Sequence, residues 1–282
     1  MKKQILITGS NGFIGSHLYN HLVKEGYYVR GIDLQNSDYN MDLSDLTDKD
    51  KEILEDIIIH SDIVFHLAAS VGVDNINIIN SYKIDNNLME LFRKYKPKVI
   101  YSSSSEVYGK SKKPMKESGK LKLPGIHNGY PVQKLMTENL LKAYKIPHTI
   151  IRFFNIIGPG QSAKQGFVIP RFIEASQNDK PIKVYQEKSV RTFMDIRDVL
   201  PVLEKLMYRD IDVINIGNPD NTYSILDVAN MIKDVSKSDS KIIITDDRKS
   251  EIKYRLPDVS KMLQIHIPKY SLKDTIKWII NE

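Results

Sequence analysis

The chain has 282 residues, 41% hydrophobic and 27% charged, ordinary values for a soluble globular protein and enough for one large α/β domain or a domain with a smaller lobe. It contains no cysteine, which excludes disulfides, thiolate nucleophiles and thiolate metal sites, so any nucleophile or base must be Ser, Tyr, His, Lys or a carboxylate. The net charge of +6 comes from dispersed lysines without a nucleic-acid-binding signature, no apolar run approaches the ~20 residues that span a bilayer, and Met1-Lys2-Lys3 precedes no signal-peptide core, so a cytoplasmic protein is expected, with a small anionic substrate and neither nucleic acid nor membrane as partner.

The first element sets the reading. Gln4-Ile-Leu-Ile-Thr-Gly-Ser-Asn-Gly-Phe-Ile-Gly-Ser-His-Leu18 joins a short apolar strand at Ile5–Ile7 to Gly9, Gly12 and Gly15. A helix pattern of Phe13, Ile14, Leu18, Leu22 and Val23 follows and runs to Gly26. In such a turn one glycine permits the bend, one lets the backbone approach a pyrophosphate, and one lets the helix pack close to the strand. The anion then sits on unpaired N–H groups at the positive end of the helix dipole. A second strand, Tyr28–Asp33, ends in an acid about twenty residues past the glycines, where a carboxylate accepts from adenosine ribose hydroxyls. Asp33 would repel a 2′-phosphate, and Leu34, Gln35 and Asn36 offer no arginine to hold one, so NAD is favoured over NADP.

A polar segment with Asp42-Leu43 leads to a helix expected from Asp48 to about Ile59. Asp62–Ala69 reads as a further buried strand, with small residues at its end and His66 as a packed strand residue. Val99-Ile-Tyr-Ser-Ser-Ser-Ser-Glu-Val-Tyr-Gly109 runs a β-branched strand into four serines at the carboxyl edge of a parallel sheet, where open α/β folds place their ligands. The lysines from 110 to 122 suit a solvated loop. Tyr130-Pro-Val-Gln-Lys134 puts a phenol and an ammonium one helical turn apart, so the cation favours the phenolate and a group of reference pKa ~10 becomes a usable base. Tyr108 and Lys112 repeat that spacing, but in a loop context, so Tyr130 and Lys134 are the pair expected to act. Strand–helix alternation to about residue 155 implies a right-handed, doubly wound parallel sheet. Trp278 reads as packing in a terminal amphipathic helix.

With its Gly-x-x-Gly-x-x-Gly turn, Asp33, the serine-rich strand end, Tyr-x-x-x-Lys and the later segments His148–Gly160, Val168–Ile173, Val190–Val199, Asn215–Gly217 and Arg255–Lys261, the chain resembles the extended short-chain dehydrogenase/reductase family, specifically its NAD-dependent nucleotide-sugar epimerases and dehydratases. The resemblance implies a Rossmann-like domain at 1–155 plus 191–217, and a smaller C-terminal lobe for a nucleoside-diphosphate sugar at 156–190 plus 218–282. It implies Ser104, Tyr130 and Lys134 as catalytic residues, with Glu106 beside them. Gly9, Gly12, Phe13, Ile14, Gly15, Asp33, Asp42, Leu43, Leu67, Ala68, Ala69, Tyr130 and Lys134 would contact NAD, and Ser105, Asn155, Arg191 and Arg255 the substrate. No metal is implied. Relatives carry Asn-Val-x-Gly-Thr at a helix start where this chain has Tyr82–Glu90 with neither the Gly nor the Thr. Such folds often dimerise through two long helices, one of them the helix after Tyr130.

Tyr130 would take the proton of the sugar 4′-hydroxyl, and the fate of the 4-keto sugar then distinguishes the siblings. Glucose-type dehydratases carry Asp-Glu where this chain has Ser105-Glu106, so the acid is missing, while Glu106 matches uronic-acid decarboxylases and GDP-mannose dehydratases and also occurs in relatives regarded as epimerases. The tail segments place UDP-hexose 4-epimerisation first, ahead of UDP-glucuronate decarboxylation, 4,6-dehydration and 4-keto reduction. A non-catalytic NAD-binding protein is the remote alternative, opposed by the intact Ser104, Tyr130 and Lys134.

Overall fold

Strand β1 (Gln4–Thr8) buries Ile5, Leu6 and Ile7 together, so it has no face to give to water and must lie inside a sheet covered on both sides. The computed structural model describes residues 2–70, 77–119, 121, 129–245 and 253–282. After β1 come α1 (Phe13–Lys24), β2 (Tyr28–Asp33), β3 (Tyr39–Asn40), α2 (Asp48–Ile59), β4 (Ile63–His66), α3 (Ile78–Tyr95), β5 (Lys98–Ser104), α4 (Gly129–Ala143) and β6 (His148–Phe153). The second half holds β7 (Ile156–Ile157), α5 (Val168–Gln177), β8 (Ile182–Tyr185), β9 (Val190–Thr192), β10 (Met194–Asp195), α6 (Ile196–Leu206) and β11 (Val213–Ile216). It ends in β12 (Thr222–Ser224), α7 (Ile225–Ser236), β13 (Ile242–Thr245), β14 (Tyr254–Arg255), α8 (Ser260–Leu263) and α9 (Leu272–Asn281). No helix among the described residues is long and apolar enough to cross a membrane.

The central sheet has seven strands in the order β11-β6-β5-β4-β1-β2-β3, and every neighbouring pair is parallel. Strand order reverses between β1 and β4, which makes the crevice beyond their carboxyl ends the switch point where such sheets bind ligands. On one face Ile5, Ile7, Phe65 and Ile100 pack against α1 and α6 through Leu18, Leu22, Val199, Leu203 and Leu206. On the other, Leu6, Val64, Val99 and Tyr101 meet Leu54, Ile58, Leu88 and Phe92 of α2 and α3. Each such side chain contributes about 1.5–3 kcal/mol by leaving water. Helix α2 starts at Asp48 because Thr47 accepts from the Asp50 N–H and the Asp50 carboxylate bonds back to Thr47, a full capping box.

A third core gathers Ile169, Phe172, Ile173, Val228, Ile232, Leu272 and Ile276 around α5, α7 and α9. Short sheets join this lobe to the strand ends, β12-β9-β14 and β13-β8. Met262 of α8, with Val259 and Ile265, packs back into the first core, so the C-terminal segment crosses between the two halves. Trp278 sits against that same core and stacks on Arg197.

Candidate active site

The loops after β1 and β4 form a cradle whose shape depends on missing Cβ atoms. Gly9 has φ +76, and a Cβ there would lie 2.8 Å from the Ala68 nitrogen. A Cβ on Gly15 would lie 1.9 Å from the Gly9 carbonyl oxygen, so α1 reaches the turn only because residue 15 has no side chain. Gly12, the residue before Phe13 and Ile14 at the start of α1, would bring a Cβ only to 3.2 Å of the Gly9 oxygen. Its open side is the one a pyrophosphate can approach. Asp33 ends β2, where its carboxylate accepts from the Asn11 N–H at 2.9 Å and the Leu34 N–H at 2.7 Å. Those two bonds fix it at the rim and leave lone pairs for ribose hydroxyls. Asp42 accepts from the Ser44 N–H and hydroxyl, and the Leu43 carbonyl accepts from the Asn87 amide at 2.9 Å. Leu67 and Ala68 follow β4 and lie beside Gly9, with Ala69 next in the chain. The residues present fit a dinucleotide, because the turn is open where the diphosphate must lie and bears a carboxylate where the ribose must lie.

Asp33→Ala is therefore expected to do two things, narrowing the preference for NAD over NADP and weakening both by releasing Asn11. Titration of each dinucleotide into stripped protein measures both effects. Equal binding of the two cofactors by the unaltered protein would remove the ribose role.

At the end of β5, Ser104 accepts from the Glu106 N–H at 3.2 Å and shares a hydrogen bond with Tyr130. Tyr130 enters in the first turn of α4, and Lys134 follows one turn later with its Nζ 5.8 Å from the Tyr130 ring centre and 4.9 Å from that of Tyr101. Burial first, then the Glu106 carboxylate, holds the Tyr130 phenol above its ordinary range, against the Ser104 hydrogen bond and the charge of Arg255. Burial also brings the Lys134 ammonium down, with Asp85 and Glu138 opposing. The phenol thus stands above the near-neutral range that the Tyr-x-x-x-Lys spacing suggests, because desolvation and the Glu106 charge outweigh the Ser104 hydrogen bond and Arg255.

Two guanidiniums complete the site. Arg191 of β9 lies opposite Arg255 of β14 in a parallel pair. Arg191 donates to the Val190 and Lys253 carbonyls, and burial, then Arg255, bring it down to about 10, with Glu106 opposing. Arg255 reaches Glu106 Oε1 at 3.4 Å, and its Nε is buried with no hydrogen-bond partner. Like charges on adjoining strands repel, and an anion bridging them relieves that cost with bidentate bonds. Ser105 is buried in the turn after Ser104. Asn155 takes a left-handed φ of +40 and donates its amide to the Thr192 carbonyl at 2.8 Å, which braces β9 under Arg191.

Tyr108 is occupied elsewhere. It donates to Asn215 Oδ1 at 2.7 Å and accepts from Arg152 at 3.0 Å, and Lys112 is exposed. Lys120 and Lys122 lie outside the described residues. The sequence reading missed Asp85, which is buried and accepts from His66, Tyr101, Gln133 and Thr137. A signal existed in the helical stripe Ser81, Asp85, Leu88, Met89, Phe92, which sets one carboxylate among apolar positions.

Residues 5–217 match the NAD dependent epimerase/dehydratase family. The chain is 37% identical over 319 aligned positions to the UDP-N-acetyl-alpha-D-glucosaminuronate decarboxylase of Bacillus cytotoxicus, covering 99% of this chain and 98% of that one. Among solved structures, UDP-glucuronic acid 4-epimerase from Bacillus cereus in complex with UDP-glucuronic acid and NAD superimposes with a TM-score of 0.84 at 28% identity, covering 99% and 98% of the two chains. UDP-glucose 4-epimerase from Thermotoga maritima, solved with UDP-glucose, gives a TM-score of 0.85 at 25% identity, covering 99% and 97%.

Proposed function

Since the chain belongs to the NAD dependent epimerase/dehydratase family, we propose that it is an NAD-dependent enzyme that oxidises a UDP-linked hexuronate at C4′ and decarboxylates the resulting 4-keto sugar. The observation that carries the choice is the likeness along 99% of the chain to the B. cytotoxicus decarboxylase, and Glu106, held by Arg255 on the same turn as Ser104 and electrostatically linked to Tyr130, is compatible with it. NAD, held over Gly9, Gly12 and Asp33, would supply the hydride acceptor for C4′ and the donor that restores it. Tyr130 removes the 4′-hydroxyl proton and Ser104 holds the same oxygen. Lys134 sustains the phenolate and would hold the ribose of the nicotinamide half. Arg191 and Arg255 grip the diphosphate. The C5 carboxylate is then β to a ketone, so the C–CO₂ bond breaks with its electron pair drawn into the 4-oxygen. Tyr130 and Ser104 stabilise that oxyanion, and Glu106 relays to C5 a proton taken from water.

Uronate decarboxylation thereby moves ahead of hexose 4-epimerisation, which the sequence reading placed first. The epimerase reading keeps specific support in the solved structures it matches. Purified protein without added cofactor, incubated with UDP-N-acetylglucosaminuronate, UDP-glucuronate, UDP-glucose and UDP-N-acetylglucosamine, is expected to release carbon dioxide and a UDP-pentose from a uronate. NMR follows the products. A C4 epimer formed with no loss of carboxylate would overturn decarboxylation in favour of epimerisation. Glu106→Gln should slow product formation by at least about 10-fold, at the low end for a lost proton donor.

The same reading makes the enzyme a cytoplasmic homodimer. Ile79 and Tyr82 on α3, and Val132 and Met136 on α4, are exposed apolar side chains on two helices that pack together. A second copy laid across them would bury all four. Sedimentation as a monomer at micromolar concentration would remove the dimer.

A further inference from the structure

Helix α3 carries one acid into the interior. Asp85 is 4% exposed and collects hydrogen bonds from His66 of β4 at 2.9 Å, Tyr101 of β5 at 3.2 Å, and Gln133 and Thr137 of α4. A buried carboxylate persists only when it is hydrogen-bonded and its charge is matched. Lys134 is 2% exposed, and its ammonium lies over the face of the same Tyr101 ring whose hydroxyl donates to Asp85. Two carboxylates act on that ammonium, Asp85 and Glu138. Glu138 is already gripped by Arg152 at 2.6 and 3.1 Å and by the Ser103 hydroxyl. Among the described residues, the hydrogen-bond partners of Asp85 include no guanidinium.

We propose that Asp85 is a positioning residue whose ionised carboxylate is the counter-charge that keeps the Lys134 ammonium charged and in place beneath Tyr130. The inference rests on Tyr130 and Lys134 being the acid–base pair of the proposed reaction. Burial works against the cation, and Asp85 is the larger of the two charges that oppose it. Burial also works against Asp85 itself, but His66, Lys134 and Thr137 bring its carboxyl below the ordinary range. The titratable and charged groups facing the pair are His66 from β4, Tyr101 from β5, Tyr130 and Glu138 from α4, and Arg152 from β6. His66 also meets Thr8 Oγ1 at 2.8 Å, and Thr8 in turn accepts from the Ala68 N–H. The network therefore runs from the floor of the dinucleotide cradle to the catalytic lysine.

Asp85→Asn keeps the size and most of the hydrogen bonds and removes the charge. Losing a negative charge lowers the pKa of every group that faces it, so both limbs of the kcat–pH profile should move toward acid, the alkaline limb by about one unit or more. A merely structural role would lower kcat at every pH and leave the limbs in place, and an unmoved alkaline limb would overturn the proposal. A second arm needs neither turnover nor this variant. In Lys134→Met, Asp85 loses its counter-cation and burial raises its folded-state pKa above the unfolded value, so its charge then costs stability at high pH and protonation relieves that cost as the pH falls. The urea midpoint should then fall further below that of the parent at about pH 8 than at about pH 5.5. An equal deficit at both would sink the idea. If no UDP-sugar is turned over, the reaction proposed above fails while this arm still decides the charge pairing.

Discussion

Tyr130→Phe is expected to cut turnover by about 10²-fold or more while NAD stays bound, since a positioned base contributes at least that much. The change removes one oxygen and leaves the ring in the first turn of α4, with the Lys134 ammonium still over Tyr101. The fold and the cradle under Gly9 therefore have no reason to change. Cofactor content, read by absorbance of the purified protein, should match the parent. Single-turnover measurements should show the loss in the chemical step. A variant that keeps more than about a tenth of the activity would take the base assignment away from Tyr130.

Gly15→Ala should do the opposite, damaging the fold before the chemistry. Its Cβ would come to 1.9 Å of the Gly9 oxygen, 2.8 Å of the Gly9 carbonyl carbon and 3.0 Å of the Ser10 Cα, all main-chain atoms that cannot swing aside. Alanine gains about 1 kcal/mol over glycine in helix propensity, but overpacking of this kind costs about 1–3 kcal/mol or more. The overlap is severe, so the clash wins. We expect a Tm several degrees lower, at roughly 2–4 °C per kcal/mol for a chain of this order, together with loss of bound cofactor. Gly12→Ala is the control, since its Cβ meets only one oxygen, at 3.2 Å. It should keep the Tm of the cofactor-free protein and still lose NAD, because the methyl occupies the pyrophosphate's approach. A Gly15→Ala protein as stable as the parent and loaded with NAD would show that α1 can move away from the turn.

Local signals were enough for the first half of the fold. The apolar run Ile5–Ile7 and the glycines each act within a few residues, and the helix expected from Asp48 to about Ile59 has those bounds. The seven-stranded parallel sheet follows from strand–helix alternation and handedness. What depends on pairing between distant segments was not legible. Arg191 and Arg255 lie 64 positions apart, and only the register of β9 with β14 sets them side by side. His66 reads as a packed strand residue because its partner Asp85 sits on another element whose orientation the sequence does not state. The raised Tyr130 phenol has the same origin, since motif spacing places Lys134 but says nothing of the water excluded around the ring.

Asn215, inside β11, does more than pair with a neighbouring strand. Its amide donates to the carbonyls of Met115 and Asp258, its oxygen accepts from Tyr108, and its N–H donates to Glu117. One side chain thus clamps the segment leaving Glu106 to the segment leaving Arg255, two and three residues away respectively. The reacting end of the crevice is in this sense a jig, its spacing fixed by the scaffold before any sugar arrives. The Asn215 N–H, buried and bonded to Glu117, should rank among the slowest to exchange with deuterium even without substrate.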